Sequence, residues 1–316
     1  MLRLVFFGTP AFAVPSLEAL IGSQHAVAGV VTQPDRPRGR GQKLCAPPVK
    51  DTALAHGLPV WQPERLKDEA LLSELRRLAP DLGVVAAYGR ILPETLLGLP
   101  RLGMINVHAS LLPAWRGAAP VHRAVMAGET ETGVTIMRVV RELDAGPVLM
   151  QVVRPVGPDE TSAEVERDLA RLGASLLVPA IAALEAGTAV EAPQDHSRAT
   201  YAPRLTREES PIDWSAPAAV VHDRVRGLHP WPLAATWLDG ARILVLRTRL
   251  LERPAGTSAA PAGSVLDTHG RLIVACGEGT ALEILELQPE GRRQMVAREF
   301  LAGRHLVPGA RLTAPP

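Results

Sequence analysis

The chain has 316 residues, of which 47% are apolar and 21% are charged, and its formal net charge at neutral pH is +1. This length is too great for one ordinary hydrophobic core and predicts two domains of roughly 100–200 residues each. The balanced charge excludes a molecule that binds nucleic acid through its overall electrostatic field, so any such contact requires a local basic patch.

The cysteines and the amino terminus restrict the cellular setting. Cys45 and Cys276 are the two cysteines and show no CxxC spacing, which disfavours a disulfide framework or a zinc site. The apolar run from Met1 to Phe7 could be either a secretory signal peptide or a buried first strand. We favour the strand, because Gly8-Thr9-Pro10 interrupts the run. No apolar run reaches the roughly 20 residues of a membrane helix. We therefore expect a cytoplasmic chain without membrane contact.

Strands and helices alternate through the first part of the chain. The predicted strands are 2–7, 26–31, 82–87, 104–107, 134–139 and 148–153, and the predicted helices are 13–21, 70–78 and 162–185. This alternation predicts an α/β domain at 1–187 with a Rossmann-like open, mostly parallel sheet. Such sheets carry their functional groups at the carboxyl ends of the strands.

The pattern changes after about residue 187. Residues 188–211 are rich in proline, alanine and charge and are predicted to be a linker. Beyond it, one helix at 218–226 precedes short strands at 234–238, 242–250, 264–267, 272–276 and 281–287. Asp239-Gly240 is a strong hairpin signal between the first two of these strands. A second domain at 212–316, a small β-barrel, is therefore expected.

The first turn, Gly8-Thr9-Pro10, lies where a dinucleotide-binding fold carries GxGxxG. The second and third glycines of that pattern are absent, which disfavours a nicotinamide cofactor. A GxxxxGK[ST] phosphate loop is also absent.

Asn106 and His108 form the first candidate catalytic pair. Period-two alternation places both on one face at the end of a predicted strand. An asparagine amide can donate to a developing oxyanion, which is worth about 3–4 kcal/mol, and a histidine can move protons near neutral pH. Taken alone the pair is weak, because a histidine at a strand end is more often structural.

Asp144 strengthens this hypothesis. It lies in the turn Leu143-Asp144-Ala145-Gly146-Pro147, where its carboxylate could orient His108; the alternative is a turn aspartate bonded to its own backbone. No serine or cysteine nucleophile has a base beside it. The set therefore suits direct attack by a substrate nucleophile on a held carbonyl, without a covalent intermediate and without a metal.

Four blocks in order along the chain carry a family resemblance. They are residues 106–113 (NVHASLLP), 115–120 (WRGAAP), 132–137 (TGVTIM) and 143–147 (LDAGP). Together they resemble the signature of the folate-dependent formyltransferase family. The resemblance implies that Asn106, His108 and Asp144 are the catalytic residues. It also implies that the residues lining the folate site are Ser110, Leu111, Leu112 and Pro113, together with Tyr88, Ile91 and Leu92 beside an apolar cleft.

Further blocks are similar to the tRNA-acting members of this family. They are residues 7–10 (FGTP), 32–43 (TQPDRPRGRGQK), 85–92 (VAAYGRIL), 201–209 (YAPRLTREE) and 229–232 (HPWP). This similarity implies that the formyl group of 10-formyltetrahydrofolate passes to the α-amine of initiator methionyl-tRNA, for translation initiation. It also implies that the carboxyl-terminal barrel is OB-like and binds tRNA. We expect the chain to act as a monomer.

The basic segment at 34–43 is the candidate tRNA contact. It holds Arg36, Arg38, Arg40 and Lys43, with Asp35 as the opposing charge, and Gly39 and Gly41 predict a mobile loop. A flexible basic arm can pin the phosphates of a nucleic-acid end, although a solvated surface loop is the alternative. The resemblance adds Arg204 and Arg207, where the family usually carries lysines.

One departure falls inside the signature. The family usually has glycine where this chain has Ala109, which would cost about 1 kcal/mol if the position needs a positive φ. Three other functions stay open. They are a sister formyltransferase acting on an amino sugar nucleotide, a formylfolate hydrolase, and a non-catalytic tRNA-binding protein.

Overall fold

The computed structural model describes residues 1–38, 41, 43–251, 260–304 and 306–315. The chain divides into two compact units. Unit 1 comprises Met1–Pro120, Thr132–Arg154 and Glu166–Ala202, and unit 2 comprises Val121–Glu131, Pro155–Val165 and Pro203–Pro316.

The α-helices and strands are numbered in chain order. The helices are α1 (Val14–Ile21), α2 (Pro48–Ala55), α3 (Glu69–Arg77), α4 (Glu94–Leu97), α5 (Pro120–Met126), α6 (Ser162–Ala186), α7 (Ala218–Gly227) and α8 (Ala297–Gly303). The strands to residue 202 are β1 (Arg3–Gly8), β2 (Ala26–Val31), β3 (Arg36–Arg38), β4 (Lys43–Cys45), β5 (Val60–Trp61), β6 (Leu82–Ala86), β7 (Met104–His108), β8 (Arg116–Gly117), β9 (Glu131–Arg138), β10 (Val148–Pro155) and β11 (Tyr201–Ala202). The later strands are β12 (Ala234–Leu238), β13 (Ala241–Leu250), β14 (Val265–Asp267), β15 (Leu272–Ala275), β16 (Ala281–Pro289) and β17 (Met295–Val296).

A seven-stranded sheet organises unit 1. Its strand order is β10-β9-β7-β6-β1-β2-β5. The pairs from β7 to β5 are parallel, and β9 runs antiparallel to β7. The central strands β1 and β6 are almost wholly buried, as expected for a sheet covered on both faces. The predicted open, mostly parallel α/β sheet is therefore confirmed.

Helix α6 departs from the expectation that no segment of the chain is long and apolar enough to span a membrane. It is long and apolar enough to span a membrane by length and composition, and no other helix in the described part of the chain is. One of its faces is buried in the protein, where Leu169, Leu177 and Ile181 have no solvent exposure. At Gly173 a Cβ atom would lie 2.6 Å from Val107, so the helix backbone approaches β7 directly. This packing accounts for the apolar composition of that face.

Unit 2 is built on an antiparallel sheet with the order β12-β13-β16-β15-β14, and β17 pairs with β16. The sheet is curled, and residues 310–313 join its two edges. Trp237 of β12 exchanges backbone hydrogen bonds of 3.1 and 2.9 Å with Thr313, and the Val265 amide of β14 donates to Ala310 at 2.8 Å. The predicted small OB-like barrel after the sheet domain is confirmed.

The turn between β12 and β13 follows the sequence signal. Asp239 and Gly240 both have positive φ, +51° and +78°, and Leu238 pairs with Ala241. Such a turn matches the right-handed twist of the flanking strands.

The short elements were missed by pattern alone. Strands β8 and β11 have two residues each and pair in parallel, although 201–202 lies in the segment predicted as a linker. Strands β3 and β4 form an antiparallel ribbon within the basic segment. Elements this short have no measurable periodicity, so only their hydrogen-bonding partners define them.

Candidate active site

Asn106 and His108 lie side by side on β7, at its carboxyl end. Asn106 pairs with Val85 of β6 and Met137 of β9, and His108 pairs with Thr135 of β9. Asn106 is half-buried, and its side-chain amide makes no hydrogen bond to any described residue. Its two N–H groups are therefore available to a ligand.

The orientation of His108 is set by a backbone carbonyl. The side chain is 5% exposed, and its Nε2 atom lies 3.1 Å from the carbonyl oxygen of Trp115. A carbonyl oxygen only accepts, so Nε2 carries the proton in this bond. In the neutral imidazole, Nδ1 then has the free lone pair. This Nδ1 lies 3.8 Å from Oδ2 of Asp144, which is too long for a hydrogen bond; the carboxylate attracts the ring once Nδ1 is protonated.

Asp144 occupies the turn between β9 and β10. Its backbone has φ of +47°, a left-handed conformation that is unfavourable for a side chain with a Cβ. Its Oδ2 accepts a hydrogen bond of 2.9 Å from the backbone N–H of Gly117. Gly117 itself has φ of +119°, and a Cβ there would lie 2.8 Å from the carbonyl oxygen of Ala202. Only glycine fits at 117, and its amide fixes one carboxylate oxygen beside His108.

The backbone of the segment from Ser110 to Pro113 is hydrogen-bonded by the side chains of Thr135 and Gln151. Thr135, which has no solvent exposure, donates its hydroxyl to the Ser110 carbonyl at 2.7 Å and accepts the Leu112 amide at 3.1 Å. Gln151 donates to the Leu112 carbonyl at 2.8 Å and to the Thr135 hydroxyl at 2.9 Å. Ser110 is fully buried, and its hydroxyl donates to the Ala114 carbonyl at 2.6 Å. The segment thus has a defined shape at the end of β7.

Ala109, the departure from the family signature, is 8% exposed and does not adopt a positive φ. The methyl group therefore carries no left-handed backbone strain at this position.

Tyr88 points into the hydrophobic core of unit 1. It is 2% exposed, and its ring packs edge-to-face on Phe7 with 5.7 Å between centroids. Burial raises the pKa of its hydroxyl to about 12, and the hydroxyl has no partner among the described residues. The backbone carbonyl accepts from Thr9 and from Gln33. The side chain is thus part of the core.

Ile91 and Leu92 line an open cavity of about 700 Å³ in unit 1. Ile91 is 81% exposed, whereas Leu92 is 8% exposed. The cavity wall is apolar at Leu66, Leu72, Pro93 and Leu97, and charged at Lys67, Glu69, Glu94 and Arg141. Arg141 pairs with Glu94 at 3.5 Å and precedes Asp144 by three residues. An apolar ring and an anionic group could both be accommodated here.

The basic segment is partly ordered by its own acidic residue. Asp35 accepts from Lys50 at 2.7 and 2.9 Å and from Gln62 at 2.6 Å, and these hydrogen bonds lower the pKa of Asp35, that of Gln62 most. The negative charge of Asp35 is therefore neutralised by Lys50, so it offsets the positive charge of the nearby arginines less than the sequence suggests. Arg36 on β3 and Lys43 on β4 are exposed, and β3 also contains the backbone of Arg38. The Arg36 guanidinium lies 3.9 Å from Glu64, and Arg40 lies outside the described residues.

Arg204 and Arg207 belong to unit 2, and both are exposed. Neither forms an ion pair with a described residue. The segment around them is anchored by Arg123, which bonds Glu209 at 2.9 Å and the Pro203 carbonyl at 3.1 Å. The two guanidinium groups are thus free to contact an anion.

Two family profiles cover most of the chain. The formyl transferase profile matches residues 2–181, and the formyl transferase carboxyl-terminal domain profile matches residues 204–305. The chain belongs to the formyl transferase family. Among curated members, methionyl-tRNA formyltransferase of Moorella thermoacetica is 50% identical over 310 residues, covering 98% of each chain. The methionyl-tRNA formyltransferase of Acidobacterium capsulatum is 50% identical over 314 residues, covering 99% of this chain and 100% of its own.

Solved structures of formyl transferases share this fold at lower identity. The N-formyltransferase of Helicobacter canadensis, in complex with folinic acid and dTDP-3-aminofucose, superposes with a TM-score of 0.69. It is 16% identical and covers 92% of this chain and 100% of its own. This likeness concerns the formyl transferase fold alone.

Several residues at the site have contacts that the sequence does not predict. Thr135 and Trp115 lie within signature blocks but had no assigned role, and Gln151 lies outside those blocks. No group of three or more His, Cys, Asp or Glu side chains suited to a metal ion occurs in the described part of this formyl transferase.

Proposed function

We propose that the chain transfers the formyl group of 10-formyltetrahydrofolate to the α-amine of initiator methionyl-tRNA, which supplies formylmethionyl-tRNA for translation initiation. The observation that carries the proposal is the 50% identity to two methionyl-tRNA formyltransferases over 98% or more of this chain. The arrangement of Asn106, His108 and Asp144 supports it, because formyl transfer needs an oxyanion donor and a proton acceptor at one place.

The reaction begins with attack of the neutral α-amine on the formyl carbon. A C–N bond forms, and the carbonyl electron pair moves to oxygen. The Asn106 amide, which has no partner among the described residues, donates to this oxyanion. Removing such a donor costs about 3–4 kcal/mol of transition-state stabilisation.

The proton released by the attacking nitrogen is taken up at Nδ1 of His108. This nitrogen is the free one because Nε2–H is engaged with Trp115. The imidazolium so formed faces the Asp144 carboxylate at 3.8 Å, which stabilises the positive charge. The C–N10 bond of the intermediate then breaks, and N10 of tetrahydrofolate leaves with the proton that His108 returns. No covalent enzyme intermediate is required.

The folate donor is proposed to bind along Ser110, Leu111, Leu112 and Pro113, and against Ile91 and Leu92. The hydrogen bonds from Thr135 and Gln151 support this, since they hold the first segment rigid. The exposure of Ile91 supports an apolar contact, whereas the Tyr88 side chain is buried and is proposed to act through the packing of this region.

The acceptor is proposed to be bound by basic residues. They are Arg36, Arg38, Arg40 and Lys43 in one segment, and Arg204 and Arg207 in another. In this proposal residues 1–187 catalyse, 188–211 connect, and 212–316 bind tRNA. The chain would act as a monomer in the cytoplasm, without membrane contact, where charged initiator tRNA is present.

A sister formyltransferase acting on an amino sugar nucleotide is the second candidate. The Helicobacter canadensis structure favours it only through the shared fold. The basic block at 32–43 disfavours it, because a sugar nucleotide offers few phosphates for four basic side chains.

The test is a formylation assay with purified chain and 10-formyltetrahydrofolate. Charged initiator methionyl-tRNA should yield formylmethionyl-tRNA, and an amino sugar nucleotide should yield no formamide. No product with the charged tRNA would overturn the proposal, and product with the sugar alone would establish the second candidate. Asn106→Ala should lower kcat by about 10²–10³-fold.

The Asn106 assignment has a second readout. It is the only asparagine in the sequence, so ¹⁵N-asparagine labelling gives a single side-chain amide signal. That signal should shift when 5-formyltetrahydrofolate, a stable formyl compound, is added. An unmoved signal under saturating ligand would contradict the oxyanion role.

The tRNA contact is tested with Arg40→Ala. This variant should raise KM for methionyl-tRNA at least 5-fold and leave KM for the folate unchanged, because it removes a phosphate contact. Arg76→Ala, an exposed arginine on α3, is the matched control and should leave both values unchanged. Equal behaviour of the two variants would remove Arg40 from the tRNA site.

A further inference from the structure

Gln194 lies in the segment predicted as a linker, yet its side chain is 7% exposed. Its amide uses its full hydrogen-bonding capacity. Nε2 donates to the carbonyl oxygens of Asp144 at 2.9 Å and Gly146 at 2.7 Å. Oε1 accepts from Nε and Nη2 of Arg116 at 3.1 and 2.6 Å.

The orientation of this amide is determined by its partners. Exchanging its oxygen and nitrogen would place an acceptor against two carbonyl oxygens and a donor against a guanidinium. A glutamate could accept from Arg116 but could not donate to the turn. The position therefore requires a side chain that donates on one side and accepts on the other.

The turn that Gln194 holds is the one that carries the Asp144 carboxylate. Asp144 has φ of +47°, a left-handed conformation that is held by the contacts of the turn. Gly146 is equally constrained, because a Cβ there would lie 2.0 Å from the Arg138 carbonyl oxygen. Gln194 spans the turn by binding the carbonyl oxygens of both residues.

Arg116 completes a closed ring of contacts. It is 3% exposed and forms no ion pair with a carboxylate in the described ranges; its guanidinium donates to Gln194 and to Nδ1 of His196 at 3.3 Å. A buried cation without a carboxylate is costly, so its hydrogen bonds must be well formed. The next residue, Gly117, donates its amide to the Asp144 carboxylate. One strand segment thus binds the carboxylate directly and the turn backbone through Gln194.

We propose that Gln194 is the positioning residue of Asp144, and that Arg116 orients Gln194. The residue does not touch the reacting atoms. It keeps the turn in the conformation that presents the Asp144 carboxylate to His108. The consequence for the reaction rests on the proposed function, whereas the consequence for the structure does not.

Two substitutions separate this role from support of the fold. Gln194→Ala removes all four hydrogen bonds, and Gln194→Glu keeps the bonds from Arg116 while removing those to the turn. Both should lower kcat by about 10- to 100-fold with both KM values within 3-fold, because small misplacements of a reacting group have effects of this size. Gln24→Ala, which removes an exposed glutamine amide, is the control and should leave kcat unchanged. Near-normal kcat in Gln194→Glu would overturn the proposal.

A double-mutant comparison tests the route of the effect. In an Asp144→Ala background, measured in single turnovers with enzyme in excess, Gln194→Ala should lower the rate by less than 3-fold. If Gln194 acts only by positioning Asp144, its removal cannot lower the rate further once the Asp144 carboxylate is absent. An additional loss of 10-fold or more would show that Gln194 acts elsewhere.

An exchange measurement does not depend on activity. Amide hydrogen exchange at Gly117, the donor to the carboxylate, should speed up at least 10-fold in Gln194→Glu, as in Asp144→Ala, while the β6 amides keep their protection. Unchanged exchange at Gly117 would overturn the positioning role. If wild-type chain forms no formylmethionyl-tRNA but this exchange effect is present, the proposed function fails while the positioning role stands.

Discussion

The Nε2 atom of His108 lies 3.1 Å from the carbonyl oxygen of Trp115, and this bond decides which ring nitrogen is free for chemistry. Because Nε2 donates in this bond, Nδ1 keeps the free lone pair of the neutral ring, and it is also the nitrogen that faces Asp144. The residues before and after Arg116 therefore hold both members of the pair, since Trp115 orients the imidazole and Gly117 binds the carboxylate.

His108→Gln tests this assignment. A glutamine amide can still donate to Trp115 but has no basic nitrogen in the place of Nδ1. We expect kcat to fall by about 10²–10⁴-fold, while the free energy of unfolding changes by less than about 1 kcal/mol. His108→Ala should lose both activity and stability. A His108→Gln variant with kcat within 5-fold of wild type would show that Nδ1 does not carry the proton.

Thr135→Val tests the support of the Ser110–Pro113 segment. Valine has nearly the same shape but removes the hydroxyl that Ser110, Leu112 and Gln151 share. We expect a loss of about 1–3 kcal/mol in unfolding free energy and a rise of at least 3-fold in KM for the formylfolate. Chemical denaturation and steady-state kinetics give the two values. Thr188→Val, at an exposed threonine, should change neither.

Tyr88→Phe tests whether the hydroxyl has a role in binding. The hydroxyl is buried without a partner among the described residues, so its removal relieves an unsatisfied polar group. We expect unchanged stability or a gain of up to about 1 kcal/mol, and a KM for the formylfolate within 2-fold of wild type. A clear rise in KM would mean that the hydroxyl contacts the ligand after a rearrangement.

Glu164→Gln tests an ion pair within unit 2. Burial alone would raise the pKa of Glu164, but hydrogen bonds from Thr161 and Arg247 outweigh it and lower the pKa from 4.5 to about 2. A carboxyl whose pKa is lower in the folded than in the unfolded protein stabilises the fold at any pH above its unfolded-state pKa. This contribution is lost as pH falls from 4.5 through about 2. At pH 7 the variant should be less stable by about 1–3 kcal/mol.

The pH series supplies the control for this prediction. The difference between wild type and Glu164→Gln, measured by denaturant unfolding, should shrink steadily between pH 4.5 and 2. Glu290→Gln, at an exposed glutamate in the same unit, should show no such dependence. A difference that stays constant over this range would mean that the carboxylate charge is not the source of the stability.

Elements that are defined by a repeating pattern are predictable from the sequence, whereas a contact that is made by one side chain is not. Strands at 26–31 and 234–238 were predicted with the bounds that the structure has, because an apolar run or alternation defines them. The sequence predicts that Asp35 opposes the arginines near it, but Lys50, fifteen residues away, binds it. The family resemblance predicts Tyr88 at the folate site, and the structure adds that its side chain packs on Phe7 in the core. Neither partner is deducible from spacing.

Asn106 and His108 show what the sequence by itself determined. Their separation of two residues at a strand end places both on one face, since the side-chain period of a strand is two. The order of the signature blocks along the sequence likewise indicates the family and the reaction class.

Gln194 shows what only the tertiary structure decided. It is 50 residues from Asp144 and 78 from Arg116 in sequence, and its role depends on two backbone carbonyls and one guanidinium that meet there. The same holds for the 3.8 Å between Nδ1 of His108 and Oδ2 of Asp144. Local pattern specifies which way a residue faces, but the packing of distant segments decides what it faces.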